Sequence, residues 1–380
     1  MENRRSLLIG VDGNEANIQQ RVGVNQFALG LLRGLWANKT KHRFLIYLST
    51  PPASDLPREK YNWHYRVIGP PKLWTQWSLP LNLFFHRPRP DVFFSPSHYA
   101  PRFAPMPTVI AIMDLGFLRN KQEFRFRDYF KLRNWTAYSI KNAKHIIAIS
   151  QYTKKDLIIN YQLPPEKITV IYPGFENNKF FPRDISVIRK VLTKYDIEPP
   201  YLLFLSSLKP SKNVERLIQA YAKCIREKAI NNSIKLVIAG KKAWLYEEIF
   251  RKAKNMGLTG KIIFTGFFPE EDLPYLVSGC QAFIMPSLFE GFGIPVLEAM
   301  ASGVPVVVSN VSSLPEIVGK DGIYVDPYNT DDIARSLRYV SNLSNLQRSQ
   351  RVNNGLKRVP NFSWDKATRE TLAVLENVIQ

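Results

Sequence analysis

Two glutamates, Glu290 and Glu298, are separated by seven residues in the run P-S-L-F-E-G-F-G-I-P-V-L-E-A-M-A-S-G-V-P-V-V-V-S-N at positions 286–310. Between them Gly291, Phe292, Gly293 and Ile294 make a turn. Its backbone N–H groups lack intrahelical partners if a helix starts behind it. Such N–H groups, backed by a helix dipole, form an anion site suited to a phosphate. The spacing lets both carboxylates face one cleft, one beside a sugar and one further along a bound nucleotide. A simpler reading stands beside it: Glu298 offsets the helix dipole and Glu290 is a solvated loop residue.

The elements that must hold these groups are legible around them. Pro295 suits the first helical position, where a missing N–H costs nothing. Gly303 sits where a left-handed cap is wanted, and Pro305 stops the helix. Residues 304–308 then read as a fully buried strand of a parallel sheet. Strands are also expected at 6–12, 43–48, 92–95, 108–113, 145–150, 168–172, 201–206, 234–239, 262–265 and 282–285. Residues at the carboxyl ends of parallel strands face the ligand crevice. That rule nominates His98 and Asp114, with a core or capping role as the alternative for each, and places Ser206, Gly266 and Phe267 at strand ends. Ser150 is expected to cap a helix. Gly23 lies in the loop before a helix at 25–36. In K-P-S-K-N at 209–213, Asn213 is expected to cap a helix at 214–227. Lys212 beside that helix start suits a diphosphate as a point charge; a plain surface lysine is the alternative.

Strands alternate with helices, and the pattern restarts once near a polar stretch at 182–200 that ends in Pro199-Pro200. The expected fold class is α/β: two Rossmann-like, doubly wound domains facing across a cleft between their strand ends.

The run from 287 to 307 resembles the E-x7-E motif of the retaining, sugar-nucleotide-dependent glycosyltransferases of family 4, which have the GT-B fold. The likeness joins both glutamates to the glycines between them and to the A-x-G-x-P-V that follows. It implies that Glu290 contacts the donor sugar, that Glu298 contacts the ribose, and that Gly291 to Ile294 hold the diphosphate. Lys212 matches the lysine of the family's P-R-K-N, with Ser211 where the family has arginine. Gly266 and Phe267 match the place of the nucleotide base, with Ser206 nearby and Gly174, in V-I-Y-P-G-F, at the cleft mouth. Asp114 carries over, while Met113 stands where the family has histidine. Gly23 resembles the first glycine of the N-terminal loop, with Asn25 in place of the second; Gly23, His98 and Ser150 are acceptor-side candidates. The family's last helix returns to the first domain, so the expected domains are 1–182 with 363–380, acceptor-binding, and 183–362, donor-binding. The implied activity is transfer of a hexose, with mannose from GDP-mannose favoured, to a glycan or lipid-linked acceptor in cell-surface polysaccharide synthesis. The alternatives are a sugar-nucleotide epimerase and a degenerate basic protein of the same fold that binds membrane or nucleic acid.

Composition bounds the rest. The 380 residues are 45% hydrophobic and 22% charged, as in a globular protein with ample cores. The two cysteines, Cys224 and Cys280, read as buried thiols, and no spacing suggests zinc. No Asp-x-Asp pair offers a metal–diphosphate site, so no metal and no cofactor is expected beyond the donor substrate. The run after the charged residues 1–5 is too short for a signal peptide, and no apolar run is long enough to span a bilayer. A cytoplasmic setting is expected, peripheral on the inner face of the cell membrane.

The net charge of +20 calls for an anionic partner. Residues 119–144 carry eight Lys or Arg interleaved with aromatics, and residues 72–90 carry Trp74 and Trp77 beside Arg87 and Arg89. A solvated face and a buried helix are the plainer readings. An anionic membrane surface is the sharper one. Nucleic acid is not expected, because no recognition module accompanies the charge.

Overall fold

The computed structural model describes residues 5–21, 23–240 and 247–379. The charged residues 1–4 considered above lie outside them. The chain forms two compact units, residues 1–174 with 362–380 and residues 175–361.

The first unit holds a seven-stranded parallel sheet in the order β3-β2-β1-β4-β5-β6-β7. Its strands are β1 (Leu8–Asp12), β2 (Arg43–Leu48), β3 (Trp63–Val67), β4 (Val92–Ser95), β5 (Thr108–Ile112), β6 (His145–Ala148) and β7 (Ile168–Val170). Strands β1, β4 and β5 are buried at every position, as interior parallel strands covered on both faces must be. The helices are α1 (Val24–Ala37), α2 (Ser78–Phe85), α3 (Gly116–Arg119), α4 (Phe126–Asn142) and α5 (Gln151–Tyr161).

The second unit repeats the plan with six parallel strands in the order β10-β9-β8-β11-β12-β13. These are β8 (Tyr201–Leu205), β9 (Lys235–Ala239), β10 (Ile262–Gly266), β11 (Ala282–Met285), β12 (Val306–Ser309) and β13 (Ile323–Val325). Its helices are α6 (Ile185–Leu192), α7 (Val214–Arg226), α8 (Glu247–Asn255), α9 (Leu273–Ser278), α10 (Ile294–Ala301), α11 (Leu314–Val318), α12 (Thr330–Ser341) and α13 (Asn345–Arg358). The apolar stripe of α7, with Leu217, Tyr221 and Cys224, joins Ile333 and Leu337 of α12 in one core over the sheet.

The chain then returns to the first unit as α14 (Trp364–Asn377), capped by Ser363, whose hydroxyl accepts the Lys366 N–H. The return is close-packed against α1. A Cβ on Gly30 would lie 2.3 Å from the Trp364 ring, and one on Gly174 only 2.1 Å from the Trp364 nitrogen. His42 Nε2 pairs with Glu376 Oε1 at 2.8 Å and so ties the far end of α14 to the start of β2.

Several local expectations are corrected. The polar stretch at 182–200 contains α6, whose Ile188 and Leu192 pack beside Gly279. Pro295 occupies the second position of α10, after Ile294. Asn213 does not cap α7 with its side chain. Its amide donates instead to Pro286 O and Pro327 O, at 2.9 and 2.7 Å. Strands β3 and β13 were not expected. Both lie at sheet edges, where half-exposed polar positions break the buried run.

Candidate active site

In each unit the strand order reverses at one place, between β1 and β4 and between β8 and β11. Ligands of open α/β sheets bind at the carboxyl ends of strands flanking such a switch point. In the second unit, the loops leaving β8 and β11 deliver Lys212 and Glu290.

Lys212 Nζ lies 2.7 Å from Glu290 Oε1, with both side chains largely buried. The ion pair is held from several sides. The Ser287 hydroxyl donates to the same Glu290 oxygen at 3.0 Å. Glu290 N–H donates to Ser312 Oγ at 3.1 Å. The Ser313 hydroxyl lies 3.0 Å from both Glu290 O and Phe292 O and fixes the path of the turn. Leu288 N–H donates to Ser211 O at 2.8 Å and so ties the two loops together. The amide of Asn213 adds a second tie through Pro286 O.

The turn itself needs glycine at 293. Gly293 has φ of 112°, and a Cβ there would sit 2.8 Å from Leu314 Cδ2. Helix α10 begins at the next residue, so its first N–H groups and the positive end of its dipole lie beside the ion pair. One turn along α10 stands Glu298. Burial pushes its carboxyl up to about 8; Glu176 and Glu270 add to the rise, and Lys179 opposes it. Ser206 and Gly266, at the ends of β8 and β10, are linked through β9: Ser206 N–H donates to Ala239 O at 3.1 Å, and Gly240 N–H to Gly266 O at 2.8 Å. Phe267 is exposed beyond them. The second unit thus brings a cation, a helix N-terminus and two carboxyl groups to the carboxyl end of its sheet, which suits an anion joined to a polyol.

In the first unit, three candidates meet around Met113. His98 Nε2 accepts the Met113 N–H at 3.1 Å, so the ring proton sits on Nδ1. Burial holds the His98 imidazole below its usual value, and the Asp114 charge opposes that. Asp114 Oδ1 accepts the Gly116 N–H at 2.7 Å and starts α3. Ser150 caps α5 by accepting the Thr153 N–H at 3.0 Å, while the Thr153 hydroxyl donates to Met113 O at 3.1 Å. Gly23 precedes α1 with φ of 52° and open space where a side chain would stand. Gly174 is set apart from these, its lack of a side chain explained by the approach of residues 363–364.

Sequence reading missed Asp12, the last residue of β1 and the only carboxylate at that unit's switch point on this strand. It is buried, its Oδ1 accepts from Asn14 N and Nδ2 at 3.0 and 2.9 Å, and burial pushes its carboxyl up to about 7. Glu15 follows, gripped by Asn25 Nδ2 at 2.6 Å. The strand-end rule that nominated Asp114 applies equally to Asp12. Ser287, Ser312 and Ser313 were missed because nothing in their spacing marks them as supports of Glu290.

Two family models match the chain. Residues 22–179 match the model described as Glycosyltransferase Family 4, and residues 186–358 match that described as Glycosyl transferases group 1. The chain belongs to the family 4 glycosyltransferases. The chain is 33% identical over 239 residues to the O-antigen chain mannosyltransferase B of Escherichia coli, an alignment covering 62% of this chain and 61% of that protein. It is 31% identical over 268 residues to the E. coli serotype-specific mannosyltransferase WbdA, covering 68% of this chain and 32% of WbdA. The matches thus span about six tenths of one relative's length and a third of the other's. The structure of Anabaena HepE in complex with UDP and glucose superposes with a TM-score of 0.73 at 19% identity, over 98% of this chain and 99% of that one. This likeness shows the fold, GT-B.

Proposed function

We propose that this glycosyltransferase moves a hexose from a nucleotide-diphosphate sugar to a glycan or lipid-linked acceptor, with retention at the anomeric carbon. Mannose from GDP-mannose is the favoured donor, and cell-surface polysaccharide synthesis is the setting. The observation that carries the reading is the buried Lys212–Glu290 pair at the switch point, beside the N-terminus of α10. The mannosyltransferase names of the E. coli relatives support the choice of sugar.

In this reading the diphosphate lies against the first N–H groups of α10 and the Lys212 ammonium. An ammonium has three donors, so Lys212 can keep its bond to Glu290 while meeting a phosphate oxygen. Charge develops on the leaving diphosphate as the glycosidic bond breaks, and preorganised donors at that place stabilise it. Glu290 orients the sugar. Glu298, protonated near neutral pH, offers an O–H donor and a carbonyl acceptor to a ribose diol. The first unit carries the acceptor, with Asp114 and His98 beside it. Lysine and helix amides serve the diphosphate without a metal. The buried free thiols of Cys224 and Cys280 fit work in the reducing cytoplasm.

Calorimetry with a panel of nucleotide sugars in excess chelator tests this. GDP-mannose is expected to bind most tightly, and transfer to persist under chelation. Failure of every nucleotide sugar to bind would sink the assignment. Binding that returns only when Mg²⁺ or Mn²⁺ is restored would refute metal independence.

A further inference from the structure

Helix α2 is apolar on two faces. Leu79 and Leu83 turn into the first unit, while Trp77, Leu81, Phe84 and Phe85 face solvent, Trp77 at 65% and Phe85 at 77% exposure. Positions 77, 81, 84 and 85 follow the i, i+4, i+7, i+8 spacing of a single helical face. A surface helix ordinarily carries charge there. The backbone nearby adds an independent observation. Leu73 and Phe103 are held at φ of 55° and 50°, and both are exposed. That region is unusual for bulky side chains and is costly to hold.

The apolar face continues into a basic one. Arg102 N–H donates to Thr75 O at 3.0 Å, which sets Phe103 beside the approach to α2. Phe103 N–H donates to Tyr138 Oη at 3.0 Å, and the Arg102 guanidinium lies 4.9 Å from the Tyr138 ring. Tyr138 belongs to α4, whose Phe126 and Phe130 are exposed alongside exposed Arg127 and Lys131. Lys72 and Arg87 flank the α2 face.

We propose that the exposed face of α2 and the basic, aromatic side of α4 form a docking surface for an anionic lipid bilayer. The aromatic and leucine side chains of α2 enter the headgroup boundary, and the lysines and arginines meet lipid phosphates. Charge selects this occupant. A second copy of the chain would bring the same basic residues face to face. Nucleic acid would satisfy the charge but leave Leu73 and Leu81 in water. The inference deepens the transferase reading by bringing the first unit to where a lipid-linked acceptor lies, and it rests on that reading only for the acceptor.

The experiment is co-sedimentation of the full chain with phosphatidylcholine vesicles, with and without phosphatidylglycerol, and without any nucleotide sugar. Vesicles with phosphatidylglycerol are expected to pull the protein down at low salt and release it at high salt, while neutral vesicles leave it in solution. The pair Arg127→Glu with Lys131→Glu should weaken the partition about thirtyfold or more. The pair Leu81→Ser with Phe85→Ser should weaken it as well, with donor calorimetry unchanged in both variants. Comparison with Trp77→Phe should assign to Trp77 a blue-shifted emission that brominated lipid quenches. Equal binding to neutral vesicles, absence of binding at low salt, or no Trp77 shift would overturn the proposal. Lipid-free self-association that Leu81→Ser with Phe85→Ser abolishes would overturn it in favour of a second copy. Vesicle binding alongside failed donor calorimetry would refute the transferase reading and leave the docking surface standing.

Discussion

At the residue scale, the proposed reaction gives the Lys212–Glu290 pair two roles that can be measured apart. Replacing either partner removes a preorganised contact, which typically costs about 2.7–4 kcal/mol of transition-state stabilisation. Glu290→Gln and Lys212→Ala are therefore each expected to lower turnover by roughly a hundredfold or more at saturating donor while the protein stays folded. Lys212→Ala also strips the cation from a buried carboxylate, so it should destabilise by about 1–3 kcal/mol. The double variant should be more stable than the sum of the single changes implies, because no charge is then stranded. Urea unfolding of the four proteins reads this coupling; strict additivity, or near-normal turnover in both single variants, would dismantle the site. Glu298 supplies a pH test. Its folded-state pKa, raised to about 8 by burial, exceeds the ordinary carboxyl value of 4.5, so the folded chain holds a proton that the unfolded chain releases over that interval. Its stability contribution is thus fully present at acid pH and is lost as pH rises toward 8. Glu298→Gln stays neutral throughout. Its melting temperature relative to the parent should climb between pH 5 and pH 9, and a constant difference would contradict the assignment.

Much of this site was legible because its chemistry is local. Glu290, Glu298 and the turn between them lie in one run, and Lys212 sits in one short loop. What joins them is not local. The bond from Leu288 to Ser211 O and the support from Ser312 and Ser313 join loops far apart in the chain, and no spacing records them; Ser287 lies in the same run as Glu290, but nothing in the sequence marks it as a support. Asp12 was passed over although it ends a strand just as Asp114 follows one; an Asp-Gly pair also reads as an ordinary turn.

At the element scale, α10 is specified by its entry. Gly293 must adopt a positive φ where a side chain would strike Leu314, so Gly293→Ala should destabilise by about 1–3 kcal/mol. Because that residue also aims the first N–H groups of α10, nucleotide affinity should fall alongside stability. Thermal unfolding and calorimetry on the variant test both; unaltered affinity would separate the turn from the anion site. The buried strands were readable as apolar runs, and so were the edge strands β7 and β10, whereas β3 is interrupted by the polar His64 and Arg66 and β13 is too short to show a pattern. Helix α2 shows the same limit from the other side. Periodicity reveals that both its faces are apolar, but only the packed fold tells which face finds Leu8 and Phe93 and which is left uncovered.

At the scale of the whole molecule, the repeat of one strand order in two units follows from the single restart of the strand–helix pattern. The return of α14 does not follow from periodicity; it depends on Gly30 and Gly34 leaving room on α1 for Trp364 and Thr368. Trp364→Ala should therefore destabilise the first unit by about 2–4 kcal/mol and the second hardly at all. Native-state hydrogen exchange can resolve this, with amides of β1 and α1 losing protection while those of β8 and β11 keep theirs. Equal loss in both units would show that they do not open separately.

This threading also bears on how the chain is made. The second unit is continuous in sequence, so every one of its strands has been translated before α14. The first unit begins earlier yet finishes later. At roughly 5–20 residues per second, roughly 10–40 s pass between translation of Gly174 and the arrival of Trp364, and one side of α1 stays bare throughout. During that interval the nascent chain presents a glycine-floored apolar groove that a chaperone can occupy, and synthesis halted within the second unit leaves the first one open.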